Sequence, residues 1–132
     1  MAPFPKIELS AQSSLEVIPK LPLEEYERFL LQGDIGISVI STPHPGIIHF
    51  QMAAFGLLAI TYAMKGRSPE WLISQSRNLI PCDPSIDGLC EAIAQAVERT
   101  GDLDTRHENA VRSSIPAAKA ELEAAARFCT SK

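Results

Sequence analysis

The segment 32–56, Q-G-D-I-G-I-S-V-I-S-T-P-H-P-G-I-I-H-F-Q-M-A-A-F-G, constrains the fold more than any other stretch of the chain. Residues 34–40 are a short, β-branched stretch, apolar enough to be a strand covered on both faces. A Pro/Gly turn over 41–46 carries one histidine. A helix follows over 47–55, with Gly56 as its natural closing residue. In that arrangement the helix start aims free N–H groups past the carboxyl end of the strand, where open α/β sheets bind their ligands.

The flanking sequence extends this pattern. Residues 15–18 are apolar and stop at Pro19, which predicts a strand. Leu23, Tyr26, Phe29 and Leu30 recur at helical spacing, with glutamates in the first turn, Pro22 before it and Gly33 after it. Residues 57–61 read as a second strand. A loop with Gly66 and Pro69 leads to a short helical turn over 71–76, and a third strand over 78–80 ends at Pro81. Asp83-Pro84-Ser85 starts a helix whose apolar face is Ile86, Leu89, Cys90, Ile93, Ala94 and Val97. It ends near Gly101. An alanine-rich helix is expected over 110–128, with Pro116 as a start or kink. The first dozen residues read as irregular. Strands alternating with helices predict an α/β fold, a Rossmann-like parallel sheet with flanking helices.

At 132 residues one domain is the default. A net charge of −4 without a basic stripe argues against nucleic acid as a partner. Cys82, Cys90 and Cys129 are odd in number and lack C-x-x-C spacing, which favours reduced thiols and a cytoplasmic setting. No apolar run is long enough to span a bilayer. A peripheral membrane role stays open. The three scattered histidines and three cysteines do not meet metal-ligand spacing, and no metal or other cofactor is expected.

The order of elements and the motifs S-T-P-H-P-G, Q-M-A-A-F-G, L-L-A-I-T, N-L-I-P and D-P-S-I-D-G-L-C-E-A-I resemble the C-terminal lobe of two-domain (GT-B) glycosyltransferases. The nearest likeness is to rhamnosyltransferase-like enzymes with an S-P-H-P loop and an L-E-M-A-A-x-G helix. The resemblance covers residues 7–99, and its specific part is H-P-x(5)-Q/E-M-A-A-x-G. It implies a lobe that binds a nucleotide-sugar donor, with helix amides at the diphosphate and a helix glutamate on the ribose hydroxyls. Many members carry two glutamates eight residues apart. Here those positions hold Pro43 and Gln51, and Gln51 can bond a hydroxyl but offers no charge. The expected donor-binding residues are His44, Gly46, Ile47, Ile48, Gln51 and Thr61, while the catalytic residues stay unassigned. The nucleotide sugar would be a substrate rather than a cofactor.

The resemblance also implies that the chain starts after the first βαβ unit of the lobe. The expected partners are therefore the N-terminal glycosyltransferase lobe, or a second copy pairing through an open sheet edge. Folding of 6–18 into the vacant place is the other solution. A non-catalytic α/β interaction module that has lost donor binding is the alternative function. Residue by residue, plainer roles compete. His44 and Gly46 suit an ordinary surface turn. Gln51 falls beside the apolar face if Ile48, Met52 and Phe55 point at the sheet. Thr61 suits a strand end, His49 a structural or exposed place, Trp71 packing on the sheet, and Asp34 a cap; Lys65 and Arg67 could neutralise the charge of a diphosphate, against the plainer role of solvated loop cations.

Overall fold

The computed structural model describes residues 6–39 and 47–111. Helix α1 (Leu23–Leu31) leads into strand β3 (Ile35–Ser38), followed by α2 (Ile48–Ala54), β4 (Leu58–Tyr62), α3 (Pro69–Gln75), β5 (Leu79–Cys82), α4 (Ile86–Arg99) and α5 (Leu103–Val111); the short strands β1 (Lys6–Glu8) and β2 (Ser14–Glu16) precede them. The three later strands form one parallel sheet in the order β3-β4-β5. The mixed α/β fold and the parallel strands flanking α2 are as the sequence predicts.

Residue alternation sorts the core into two layers. On one face of the sheet Ala59 and Leu79 meet Phe50 and Ala53 of α2 and Leu72 of α3. On the other, Leu58, Ile60, Ile80 and Cys82 meet Ala92 and Ala96 of α4. The centre of β4 is therefore buried on both faces, as a parallel strand demands. Strand β3 is not. Gly36 and Ser38 are buried while Ile37 and Val39 stay exposed: α4 lies over β4 and β5, and on that face of β3 Ile35 alone packs against the second layer. Gly36 is needed on the covered face: a Cβ there would run into the Met52 thioether.

Local chemistry explains the boundaries. Helix α1 runs between Pro22 and Gln32 with Glu24 and Glu25 in its first turn. Gly56 takes φ +90°, the left-handed turn that closes α2 and that a side chain would strain. Ser68 caps α3 by accepting from the Trp71 N–H at 3.1 Å, and Pro69 occupies the first turn, so the predicted helical turn at 71–76 is a full helix starting earlier. Ser85 caps α4 by accepting from the Gly88 N–H at 2.9 Å. Strand β5 does not end before Pro81. Asn78 and Cys82 turn their carbonyls toward β4, so the odd position between them points its nitrogen at the open edge, where a missing N–H costs no ladder bond.

Three expectations are corrected. The N-terminal residues are not irregular: β1 and β2 pair antiparallel, with Ile7 opposite Leu15, around a turn in which the Leu9 and Ser10 N–H groups bond the Ser13 carbonyl. This hairpin forms its own two-stranded sheet, so 6–18 does not fill a place beside β3. Its six strand residues are all exposed. The third correction is α5, which occupies 103–111, ahead of the helix expected to start at 110. Asp102 starts it by accepting from the Thr105 N–H at 3.1 Å. Of the helix expected over 110–128, residues 112–128 lie outside the described residues.

Helix α5 brings the side chain that holds the amino ends of the strands. The Arg106 guanidinium is 6% exposed and donates to the carbonyls of Thr100 (2.7 Å), Gly56 (2.9 Å) and Gly33 (3.3 Å), and to Asp34 Oδ1 (3.1 Å). Asn78 adds to it, donating to the Ala53 and Arg106 carbonyls and accepting from Asn109. The Asp34 side chain is 66% exposed, so its ion pair is screened and contributes little. The buried carbonyls carry the weight. Arg106→Met should therefore lower unfolding free energy by about 3 kcal/mol, and Asp34→Asn by less than about 1 kcal/mol. Urea unfolding of the two variants checks the contrast; equal losses would mean that the ion pair dominates.

Candidate functional site

A helix between two parallel strands runs back across the sheet, so the start of α2 lies over the carboxyl ends of β3 and β4. Four polar side chains are buried there or in the turn that follows: Ser38, Thr61, His49 and Arg67. Ser38 and Thr61 are register partners at the last rungs of β3 and β4. His49 comes from the first turn of α2. Arg67 closes the turn after β4, exchanging backbone hydrogen bonds with Met64 around Gly66, whose φ is +88°.

His49 is fully buried and lies against Phe50, ring centres 4.2 Å apart. Burial first, and the Arg67 charge second, hold its pKa down to about 4. The imidazole is thus neutral at physiological pH, with one N–H and one acceptor nitrogen. Among the described residues neither ring nitrogen, nor the Thr61 hydroxyl, has a hydrogen-bond partner.

The sequence-predicted residues divide accordingly. Thr61 is at the strand end as expected, but fully buried. Ile47 and Ile48 lie at the start of α2 and are exposed at 40% and 45%. The helix buries His49, Phe50 and Ala53; of the expected inward set Met52 packs against the sheet at Gly36, while Ile48 is exposed and Phe55 half-buried. Gln51 is half-buried beside this face and accepts from the Tyr26 hydroxyl at 3.4 Å. Burial of Tyr26 raises its pKa. His44 and Gly46 lie outside the described residues.

Arg67 is corrected from a solvated loop cation to a buried one, and of the two places left open for His49 the structure gives the structural one, fully buried in the first turn of α2. Their burial follows from the tight 64–67 turn, which folds Arg67 back toward the sheet, and from the inward face of α2. The lone signal in the sequence was Gly66, which permits that turn. Trp71 packs edge-on against Phe50, 6.2 Å between centres. Cys82 is buried, its thiol pKa raised by burial and then by Asp83, whereas Cys90 is exposed. A separate cavity of about 170 Å³ opens beside the start of α4, between Ala63, Pro81, Asp83, Glu91 and Gln95. No helix among the described residues is long and apolar enough to cross a membrane.

A parallel sheet flanked by helices, with polar side chains gathered at the carboxyl ends of its strands, defines a Rossmann-like α/β domain. The family model described as "WsaF, C-terminal domain" matches residues 2–94. The chain therefore belongs to the WsaF C-terminal domain family, and WsaF is a rhamnosyltransferase-type glycosyltransferase. No curated protein and no solved structure matches the chain.

Neutral His49 ties stability to pH. Its folded pKa near 4 lies below the ordinary 6.5, so the unfolded chain binds the proton first. Stability from this residue is complete above pH 6.5 and is lost as pH falls toward 4, by roughly 3 kcal/mol at the lower limit. Urea unfolding of wild type should weaken between pH 7 and 5 more steeply than that of His49→Leu. Parallel profiles would show that His49 is not buried neutral.

Proposed function

We propose that the chain is the donor side of a glycosyltransferase and binds the nucleoside diphosphate of a nucleotide sugar during glycosyl transfer. The observation that carries this reading is the family match combined with where the polar groups gather. Membership of the WsaF C-terminal domain family supports a glycosyltransferase domain. The cluster at the carboxyl ends of β3 and β4 supports a ligand site on that side of the sheet.

In this reading the nucleotide lies along the start of α2, with Gln51 toward the ribose. The Gln51 carbonyl oxygen already accepts from Tyr26, so its NH₂ is the group to meet a ribose oxygen. Tyr26 thus selects the amide orientation. A glutamate at this place would accept both from Tyr26 and from a ribose hydroxyl. His44 and Gly46 would add contacts from the loop before the helix. Glycosyl transfer needs charge stabilisation on the departing diphosphate, which is the task of a donor domain. The acceptor and any general base would come from the other lobe.

Calorimetric titration of the 132-residue chain with UDP, dTDP and GDP tests the reading. At least one should bind saturably. Gln51→Ala should then weaken it about fivefold, the worth of one hydrogen bond near 1 kcal/mol, and Gln51→Glu should restore or tighten it. If none of the three binds, the domain is a non-catalytic module that kept the fold.

A further inference from the structure

Two apolar strand faces of this chain stand open to solvent. The first is on the hairpin. Residue alternation puts Lys6, Glu8, Ser14 and Glu16 on one of its faces and sets Ile7 opposite Leu15 on the other, with Leu9 and Val17 following at the same spacing. Ile7 and Leu15 are each 49% exposed, and Leu9 and Val17 are exposed as well. A lone two-stranded hairpin is marginal in water, and one that sorts its apolar residues to a single face is patterned to lie on another surface. The second open face is on β3. Gly36 abuts Met52 of α2, so Ile37 and Val39 point to the opposite side of the sheet, the side of α4, and stay 47% and 43% exposed. Helical spacing turns Leu89, Ile93 and Val97 to one flank of α4, away from the Glu91 and Gln95 flank that lines the cavity at Pro81. Leu89, Ile93 and Ile35 pack against the same buried layer, so this flank walls the open floor over β3.

The hairpin is attached on the wrong side of the sheet to cover β3 of its own chain. It leads into α1, and α1 lies on the α2 side, where the Tyr26 hydroxyl donates to Gln51. Ile37 and Val39 face the other way. The link over 17–22 contains Pro19 and Pro22, which favour extended backbone and resist folding back round the sheet edge. We propose that two copies of this chain exchange hairpins: the apolar face of one copy's hairpin lies on Ile37 and Val39 of the second copy, beside α4, and the exchange is reciprocal. Each copy owns one hairpin and one uncovered β3 face, so a two-fold pair leaves neither unmatched and closes the assembly. Stacked strands lie about 10 Å apart, so the hairpin takes the place in the α4 layer that α4 itself leaves open over β3. Each copy commits the thirteen residues 6–18 and a receiving surface of similar size, in keeping with the roughly twenty to thirty residues a side of a stable interface. The pairing uses none of the polar groups at the carboxyl ends of the strands and is independent of the donor-domain reading.

Sedimentation of the 132-residue chain from micromolar to near-millimolar concentration tests the exchange, with circular dichroism as the check on folding. Wild type should dimerise. Leu15→Glu spoils the donated face and Ile37→Lys the receiving one. Each should raise the dimer dissociation constant at least about tenfold, since docking would bury a charge without a partner. Both positions are about half exposed in the single chain, so the variants keep the monomer fold. Mixing the two variants separates exchange from any other association. One interface of the mixed pair is then wild type, and the other sets the introduced carboxylate against the introduced ammonium. The mixture should recover the dimer that neither variant forms alone. A wild-type chain that stays monomeric throughout, a dimer that survives either substitution, or a mixture that remains monomeric overturns the exchange. Slow hydrogen exchange of 6–18 in such a monomer would put the hairpin on its own chain instead.

Discussion

The rest of the structure depends on the Arg106 guanidinium. In a parallel sheet each crossover ends in loop carbonyls that must find donors. Arg106 supplies them for three separate connections: the turn into β3 at Gly33, the turn out of α2 at Gly56, and the end of α4 at Thr100. A fixed fork with five N–H groups can do this from one position, and a lysine could not. Asn78 continues the same layer, holding the end of α2 through Ala53 and the backbone of Arg106 itself.

That hub lies at the amino ends of the strands, and the two ends of the sheet are consequently unlike. At the amino end polar groups are buried and bonded to one another. At the carboxyl end Thr61 and His49 are buried and unbonded among the described residues. The rigid end fixes the register of β3 on β4 and of β4 on β5. It thereby sets where Thr61 and the start of α2 stand. Precision at a site is best built on elements held elsewhere, and here the holding is done on the opposite side of the sheet.

Much of this was legible in the sequence. Periodicity placed α1, α2 and α4 to within about two residues, Gly56 marked the end of α2, and the alternation of strands and helices implied a parallel sheet. What was not legible was long-range. Nothing near Arg106 shows that it reaches Gly33 and Asp34, more than seventy positions away. The same holds for the site. Gln51 and Thr61 stood out through motif and strand position, whereas Arg67 read as a loop cation because burial of a charge depends on partners from other elements. The inward face of α2 was legible only in part: Met52 does pack against the sheet, but Ile48 is exposed and His49, Phe50 and Ala53 are buried. Ile48, Met52 and Phe55 fit helical spacing as well as His49, Phe50 and Ala53, and hydrophobicity alone favours the set without a histidine.

The reach of the family match sharpens the contrast between the two ends. The matched residues, 2–94, include β3, β4, β5, α2 and every member of the carboxyl-end cluster, and they stop inside α4. Arg106 and Asn109 lie beyond them. The family match thus spans the sheet and the carboxyl-end cluster, and the Arg106 side chain that clamps the amino ends comes from outside it. Within the match, β3 pairs with β4 and sets Gly36 against Met52 on its covered side, while on its other face Ile35 is half-buried against the second core layer and Ile37 and Val39 are exposed. A strand so placed gains most from an anchor at its start. Asp34 and Gly33, the two residues before β3, are where Arg106 attaches. The clamp therefore acts on the least covered strand of the sheet, whose far end supplies Ser38 to the site.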